Sequence, residues 1–129
     1  MGEADDGSVV AEVSEAHRRY EAALVVNDVD TLTELFWNDP RTIRYGVTEN
    51  LYGAAAIAAY RSAKPPENLD RDVVRSAVIA LGPDTAVTAI EFQRPGQSRI
   101  GRQMQTWIRT GEGWRIASAH VSFLEGAGS

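Results

Sequence analysis

The chain contains no cysteine, which excludes disulfides, a thiolate nucleophile and any cysteine-held metal, and leaves the redox compartment unread. Lysine is nearly absent too: Lys64 is the only one, so the basic side chains are otherwise arginines. Arginine suits planar, two-point carboxylate recognition better than lysine does, although genomic composition can produce the same excess. Histidine occurs twice, as His17 and His120, with no acidic companion at ligand spacing, so neither a metal nor a cofactor is expected. No run of eighteen apolar residues could cross a membrane, and Met1 to Ser8 lacks the basic and apolar regions of a signal peptide. A cytoplasmic location is the simplest expectation. The net charge of -5 argues against nucleic acid as the main partner. There is no G-x-G-x-x-G or Walker-type loop for phosphates and no G-x-S-x-G elbow for a serine nucleophile.

What is present is one domain's worth of sequence, 129 residues that are 43% hydrophobic and 24% charged. Residues 8–125 are expected to form a single domain, with residues 1–7 a frayed acidic leader. From Ser8 to Val26, Val9, Val10, Val13, Ala16, Tyr20, Ala23 and Leu24 repeat at the three-four spacing of an amphipathic helix. Asn27 and Asp28 interrupt it and cap a short second helix over Val29 to Trp37, which Pro40 ends. Thr42 to Tyr45 and Glu49 to Leu51 read as short strands around Gly46. Ala54 to Ala63 reads as an alanine-rich third helix stopped by Pro65 and Pro66. Four strand-like runs follow, Asp72 to Leu81, Thr85 to Arg94, Ile100 to Thr110 and Trp114 to Leu124, separated by Gly- and Pro-containing turns. Helices first and consecutive antiparallel strands after them predict an α+β cone, about three helices on a strongly curved, mainly antiparallel sheet with a pocket inside.

The last hairpin allows a choice of faces. With Glu112 and Gly113 as a two-residue turn, Trp107 pairs with Ser118, Gln105 with His120 and Gln103 with Ser122, all on one face. The other face carries Met104, Thr106 and Ile108 beside Ala117, Ala119, Val121 and Phe123. The polar face is assigned to the cavity and the apolar face to a dimer partner. A longer turn with Gly113 in a bulge would slide the pairing by one and mix the faces. A lone strand histidine such as His120 is more often structural than chemical, and His17 reads as a surface residue among Glu15, Arg18 and Arg19.

The stretch from Phe36 to Gly53, FWNDPRTIRYGVTENLYG, mixes large aromatics with charges in a way an ordinary core segment does not. Such groups either orient a small polar ligand or form a turn with solvated charges. Arg44 lies mid-strand between Ile43 and Tyr45, where an inward guanidinium needs an anion: Asp39, Glu49, Glu91 or a substrate carboxylate. Tyr20, near the end of the first helix, either brings its hydroxyl to the same cavity or fills the core.

These residues also carry a likeness. FWNDPRTIRYGVTENLYG together with GRQMQTW and RTGEGWRIASAHVS resembles the AtzH-like family, within the SnoaL-like, nuclear-transport-factor-like superfamily, over about Ala11 to Leu124. The resemblance implies a dimeric α+β cone of the cystatin-like kind. It further implies a cofactor-free decarboxylating amidohydrolase acting on a small carboxylated urea, such as 1,3-dicarboxyurea or an oxalurate-like acid, in nitrogen-compound breakdown. Tyr20 and Arg44 match positions regarded as essential there, with Trp37, Gln105 and His120 as polar or aromatic neighbours. Arg44, Tyr20 and His120 are thus the candidate catalytic residues, and Trp37, Gln103, Gln105 and Ser122 the candidate substrate contacts. Arg44 would hold a carboxylate and Tyr20 would move a proton beside it. Met104 stands where a small polar residue is expected, and the alanine-rich third helix is expected to lie away from the chemistry. The rival readings are a non-catalytic anion-binding or dimerisation module, and an isomerase or cyclase like the ketosteroid isomerases, which would need Asp39 or Glu91 inside the cavity.

Overall fold

Apolar residues at three-four spacing turn one stripe of the first helix inward, and that stripe decides the architecture. In the computed structural model, which describes residues 6–64 and 70–125, α1 (Asp6–Val25) buries Val9, Val13, Tyr20, Ala23 and Leu24. Asn27, with φ 54°, reverses the chain. Asp28 then caps α2 (Val29–Leu35), its carboxylate accepting from the Thr31 backbone N–H at 3.2 Å and the Thr31 hydroxyl at 2.7 Å. The short strands β1 (Ile43–Tyr45) and β2 (Asn50–Tyr52) lead to α3 (Ala54–Ala63), followed by β3 (Asp72–Gly82), β4 (Thr85–Gln93), β5 (Gly101–Thr110) and β6 (Gly113–Phe123). α1 starts two residues ahead of Ser8; the rest of the expected leader, and the prolines Pro65 and Pro66 expected to stop α3, lie outside the described residues.

The six strands form one mixed sheet in the order β2-β1-β6-β5-β4-β3, with β1 parallel to β6 and the other pairs antiparallel. Three helices pack on one face, where Trp107, Phe92, Ile116, Leu32, Leu35 and Ile57 are fully buried. The Trp114 indole N–H donates to the Glu12 carboxylate at 2.8 Å and ties α1 to β6. That bond, with Arg109 close by, holds the Glu12 carboxyl below its ordinary pKa. No described helix is long and apolar enough to cross a membrane.

The hairpin of β5 and β6 differs from the expected register. Gly111 and Glu112 form the turn, so Thr110 faces Gly113 and Trp107 faces Ile116. Ala117 is then skipped as a bulge, and Thr106 faces Ser118, Gln105 faces Ala119, Met104 faces His120 and Gln103 faces Val121. Trp114 and Ile116 point inward before the bulge, and Ala119 is buried after it. The inner side therefore takes the apolar residues of β6. Ser118, His120 and Ser122 go to the outer, helix-free side beside Met104, Thr106 and Arg102.

Candidate functional site

The loop before β1 determines where Arg44 lies. The Trp37 backbone N–H donates to the Ile116 carbonyl at 2.9 Å, and the Thr42 hydroxyl donates to the Trp37 carbonyl at 2.7 Å. The Asp39 carboxylate accepts from the Arg41 backbone and guanidinium, each at 2.9 Å. Trp37, Asp39, Arg41 and Thr42 thus build a braced turn, with Arg41 over the Trp37 ring at 4.8 Å. Its product is the direction of β1: Arg44 lies opposite Ala119 on the inner face and is 8% exposed.

Arg44 opens onto a cavity of about 250 Å³ between α1, α3 and the sheet. Tyr20, Arg44, Glu49, Tyr60, Arg61, Lys64, Arg71, Arg94 and Gln103 supply its polar lining. Five cations meet one lining carboxylate. Arg44 donates to Glu49 at 2.7 Å. Burial opposes the charge on Glu49, but hydrogen bonds from Thr48 and Arg44 and the guanidinium's field outweigh it and hold the carboxyl below its ordinary pKa. Gly46 permits this pair, because a methyl group there would collide with the Glu49 carboxylate. Arg71, whose side chain is 3% exposed, makes a two-bond pair with Glu21 (3.1 and 2.5 Å) and also reaches the Gln103 amide oxygen at 2.8 Å. Arg61, 5% exposed, donates to the Tyr20 hydroxyl at 3.0 Å. Among the described residues, neither Arg61 nor Arg94 has a carboxylate partner, and the buried Nε atoms of Arg44, Arg61 and Arg94 have no acceptor. Buried guanidiniums without counter-charge are costly in an empty cavity and well used in an occupied one.

Of the residues expected from sequence, Tyr20, Arg44 and Gln103 meet at this cavity. Gln105, expected as a substrate contact, lies two residues further along the same inner face, 1% exposed and hydrogen-bonded to Thr88, and does not line the cavity. Other expected placements are corrected as well. His120 is exposed on the outer side, edge-on to Tyr45 at 5.7 Å, because the Ala117 bulge reverses the alternation. Ser122 leaves the cavity for the same reason and accepts from Arg102 at 3.1 Å. Trp37 is held in the turn under Arg41 and does not line the cavity. The cation beside the Tyr20 hydroxyl is Arg61 rather than Arg44. Asp39 and Glu91, the acids an isomerase would need, are respectively in the turn and opposite Arg102 on the outer side.

Sequence reasoning missed Arg61, Arg71 and Arg94. Arg61 follows Ile57 by one turn on α3, and both are buried, so the alanine-rich helix faces the chemistry rather than lying remote from it. That i, i+4 pair was the available signal. A larger depression, about 460 Å³, lies between α2, α3 and the β5–β6 turn, but its Arg115 turns to Glu34 at 3.6 Å and to its neighbour's carbonyl, so no charge converges there. Among the described residues no three His, Asp or Glu side chains gather as a metal would require.

A family model described as AtzH-like matches residues 2–127. The chain belongs to the AtzH-like family. A protein of unknown function of the DUF3225 family from Pectobacterium atrosepticum is 51% identical, with a TM-score of 0.88 over 91% of each chain. A cystatin-like fold protein from Burkholderia xenovorans is 40% identical, with a TM-score of 0.86 over 92% of this chain and 94% of that one. A nuclear transport factor 2-like protein from Salmonella enterica, 23% identical, shares the fold at a TM-score of 0.78 over 95% and 97% of the two chains. No curated protein matches. The expected cone and family are both met in this AtzH-like chain, which shares its fold with nuclear-transport-factor-like proteins.

His17 is not the surface residue expected. Its side chain is 14% exposed and stands 3.5 Å from Glu21, behind Arg71. Burial lowers its pKa below the ordinary 6.5; Glu21 opposes the shift and Arg71 adds to it. The unfolded chain therefore binds this proton more readily, and stability falls as pH drops from about 6.5 toward the depressed folded value. Glu12, Asp28, Asp39 and Glu49, all lowered carboxyls, lose their contribution only at more acidic pH. The melting temperature should fall between pH 7 and pH 5.5, and His17→Gln should flatten that slope.

Proposed function

We propose that this AtzH-like protein is a small-molecule enzyme, a cofactor-independent decarboxylating amidohydrolase acting on a small carboxylated urea. The observation that carries the reading is the buried, cation-rich cavity with two guanidiniums, Arg61 and Arg94, lacking a carboxylate partner among the described residues. A cavity of about 250 Å³ suits a compact molecule rather than a steroid-sized one. Substrate carboxylates take the open edges of Arg44, Arg61 and Arg94, while the flat urea core lies along Gln103. Loss of a carbamate carboxyl breaks the N–C bond, releases carbon dioxide and requires a proton at nitrogen. Tyr20 accepts a hydrogen bond from Arg61 and so keeps its own O–H to donate. Arg61 then stabilises the phenolate until water returns the proton. Water then adds to the remaining urea carbonyl and a second proton reaches the freed NH₂, so that its C–N bond breaks, ammonia leaves and the carbonyl carbon remains as a carbamate.

The protein works in the cytoplasm and as a homodimer on this reading. The outer sheet side exposes Ile79, Met104 and Tyr52, which a second copy would cover.

The test is release of ammonia and carbon dioxide from 1,3-dicarboxyurea, allophanate, oxalurate and biuret, with Arg44→Ala beside the wild type. Turnover of one carboxylated urea, reduced about a hundredfold in Arg44→Ala, is expected. Turnover that survives the substitution would remove Arg44 from the mechanism. No turnover on any of the four would leave a binding module, read next by anion-induced stabilisation.

A further inference from the structure

An arginine can only donate hydrogen bonds, and this fixes the direction of one amide on the inner face of the sheet. Arg71 faces the Gln103 side chain at 2.8 Å, so the amide oxygen must be the atom that meets it. Four residues along β5, the Trp107 indole N–H donates to the Thr88 hydroxyl at 3.0 Å. That hydroxyl donates to the Gln105 oxygen, 3.3 Å away. In both glutamines the oxygen is taken and the NH₂ is left over; among the described residues the buried Gln105 nitrogen has no partner. Gln103, 4% exposed, lines the cavity.

We infer that Glu21 is a positioning residue which, by clamping Arg71, orients the Gln103 amide so that only its NH₂ reads the ligand. Glu21 does not line the cavity, yet it takes two of Arg71's N–H groups, and the Arg71 guanidinium carbon stands over the fully buried Phe92 ring, 4.2 Å from its centroid. The guanidinium is held by a carboxylate at its edge and an aromatic ring at its face, and the only freedom left to Gln103 is removed by the third bond. The floor then offers donors alone, and a ligand must meet it with oxygen: a carboxylate or carbonyl edge, not an N–H edge or a cation. The inference rests on the small-anion site proposed above and names the edge of the ligand that site reads.

Two measurements test it. In the ligand-free protein, Glu21→Gln should shift the Gln103 side-chain NH₂ resonances, a change a merely structural role for Glu21 does not produce; unmoved resonances overturn the relay. In calorimetric titrations, malonate should bind the wild type and its neutral diamide should not. Glu21→Gln and Gln103→Leu should each weaken malonate about tenfold. The double variant should be no weaker than Gln103→Leu alone. Failure of malonate to bind the wild type overturns the donor-only floor. Additive losses overturn the relay and place Glu21's effect on Arg71 directly. Turnover of a ureido acid combined with additive losses would sink the relay alone. A closed cycle without turnover would sink the hydrolase alone.

Discussion

Replacing Arg61 with methionine should stabilise the ligand-free protein while removing most of its activity. Arg61 is 5% exposed, and among the described residues its Nε has no acceptor and its one side-chain bond runs to the Tyr20 hydroxyl at 3.0 Å. Arg44, Arg71, Arg94 and Lys64 line the same cavity, so the local field opposes a further positive charge. Methionine keeps an unbranched stem against Ile57 and α1 and discards the charge. Relief of an uncompensated buried cation is worth about 1–2 kcal/mol, or a rise in melting temperature of roughly 5 °C for a domain of this size. The same change removes a donor aimed at developing negative charge. It also leaves Tyr20 without the cation that supports its proton transfer. A fall of about 10³ in kcat/KM is expected. Arg61→Lys keeps the charge but not the planar fork and should fall between the two. Scanning calorimetry beside steady-state rates reads both quantities. Loss of activity with a parallel loss of stability would make Arg61 a packing residue. Opposite signs are what a binding group held in readiness gives.

The contrast between Arg44 and Arg61 shows what sequence could and could not convey. Arg44 was legible because a charge set between Ile43 and Tyr45 in a strand needs an explanation. Arg61 was hidden inside an alanine-rich helix, where every position looks equally bland and only its i, i+4 relation to Ile57 marks the inner side. Element positions were readable almost throughout, since Asp28, Gly53 and the turns between the long strands are local signals. Face assignment along β6 was not, because it depends on a bulge. The inward apolar set passes from Trp114 and Ile116 to Ala119, an even-to-odd slip that a single alternating pattern cannot contain. Reading for burial rather than for polarity would have found that slip and sent His120 outward. The family motif misled in a subtler way. Its Trp37, Asp39 and Arg41 are spent on the turn that aims β1, so the most recognisable residues serve the site by direction rather than by contact.

Gly101→Val should be the most destabilising single change near the site, and it should disable the site through packing alone. Gly101 opens β5 opposite Phe92, and a side-chain carbon placed there would run into the Phe92 ring. The ring cannot step aside easily. It is fully buried, meets Phe123 edge-on at 5.7 Å, and carries the Arg71 guanidinium at 4.2 Å on its face. Overpacking of this kind costs about 3 kcal/mol, or roughly 10 °C in melting temperature. The displaced ring takes Arg71 with it, and through Arg71 the pairs to Glu21 and Gln103. Anion binding should therefore weaken in the fraction that remains folded, although Gly101 touches no ligand. Shrinking the ring in the double variant Gly101→Val/Phe92→Leu should recover more than half of the lost stability, because volume is returned to the same spot. It should not recover anion binding, because leucine offers no aromatic ring for the guanidinium to rest over. Recovery of both would mean that Phe92 only fills space; recovery of neither would place the damage in the β5 backbone.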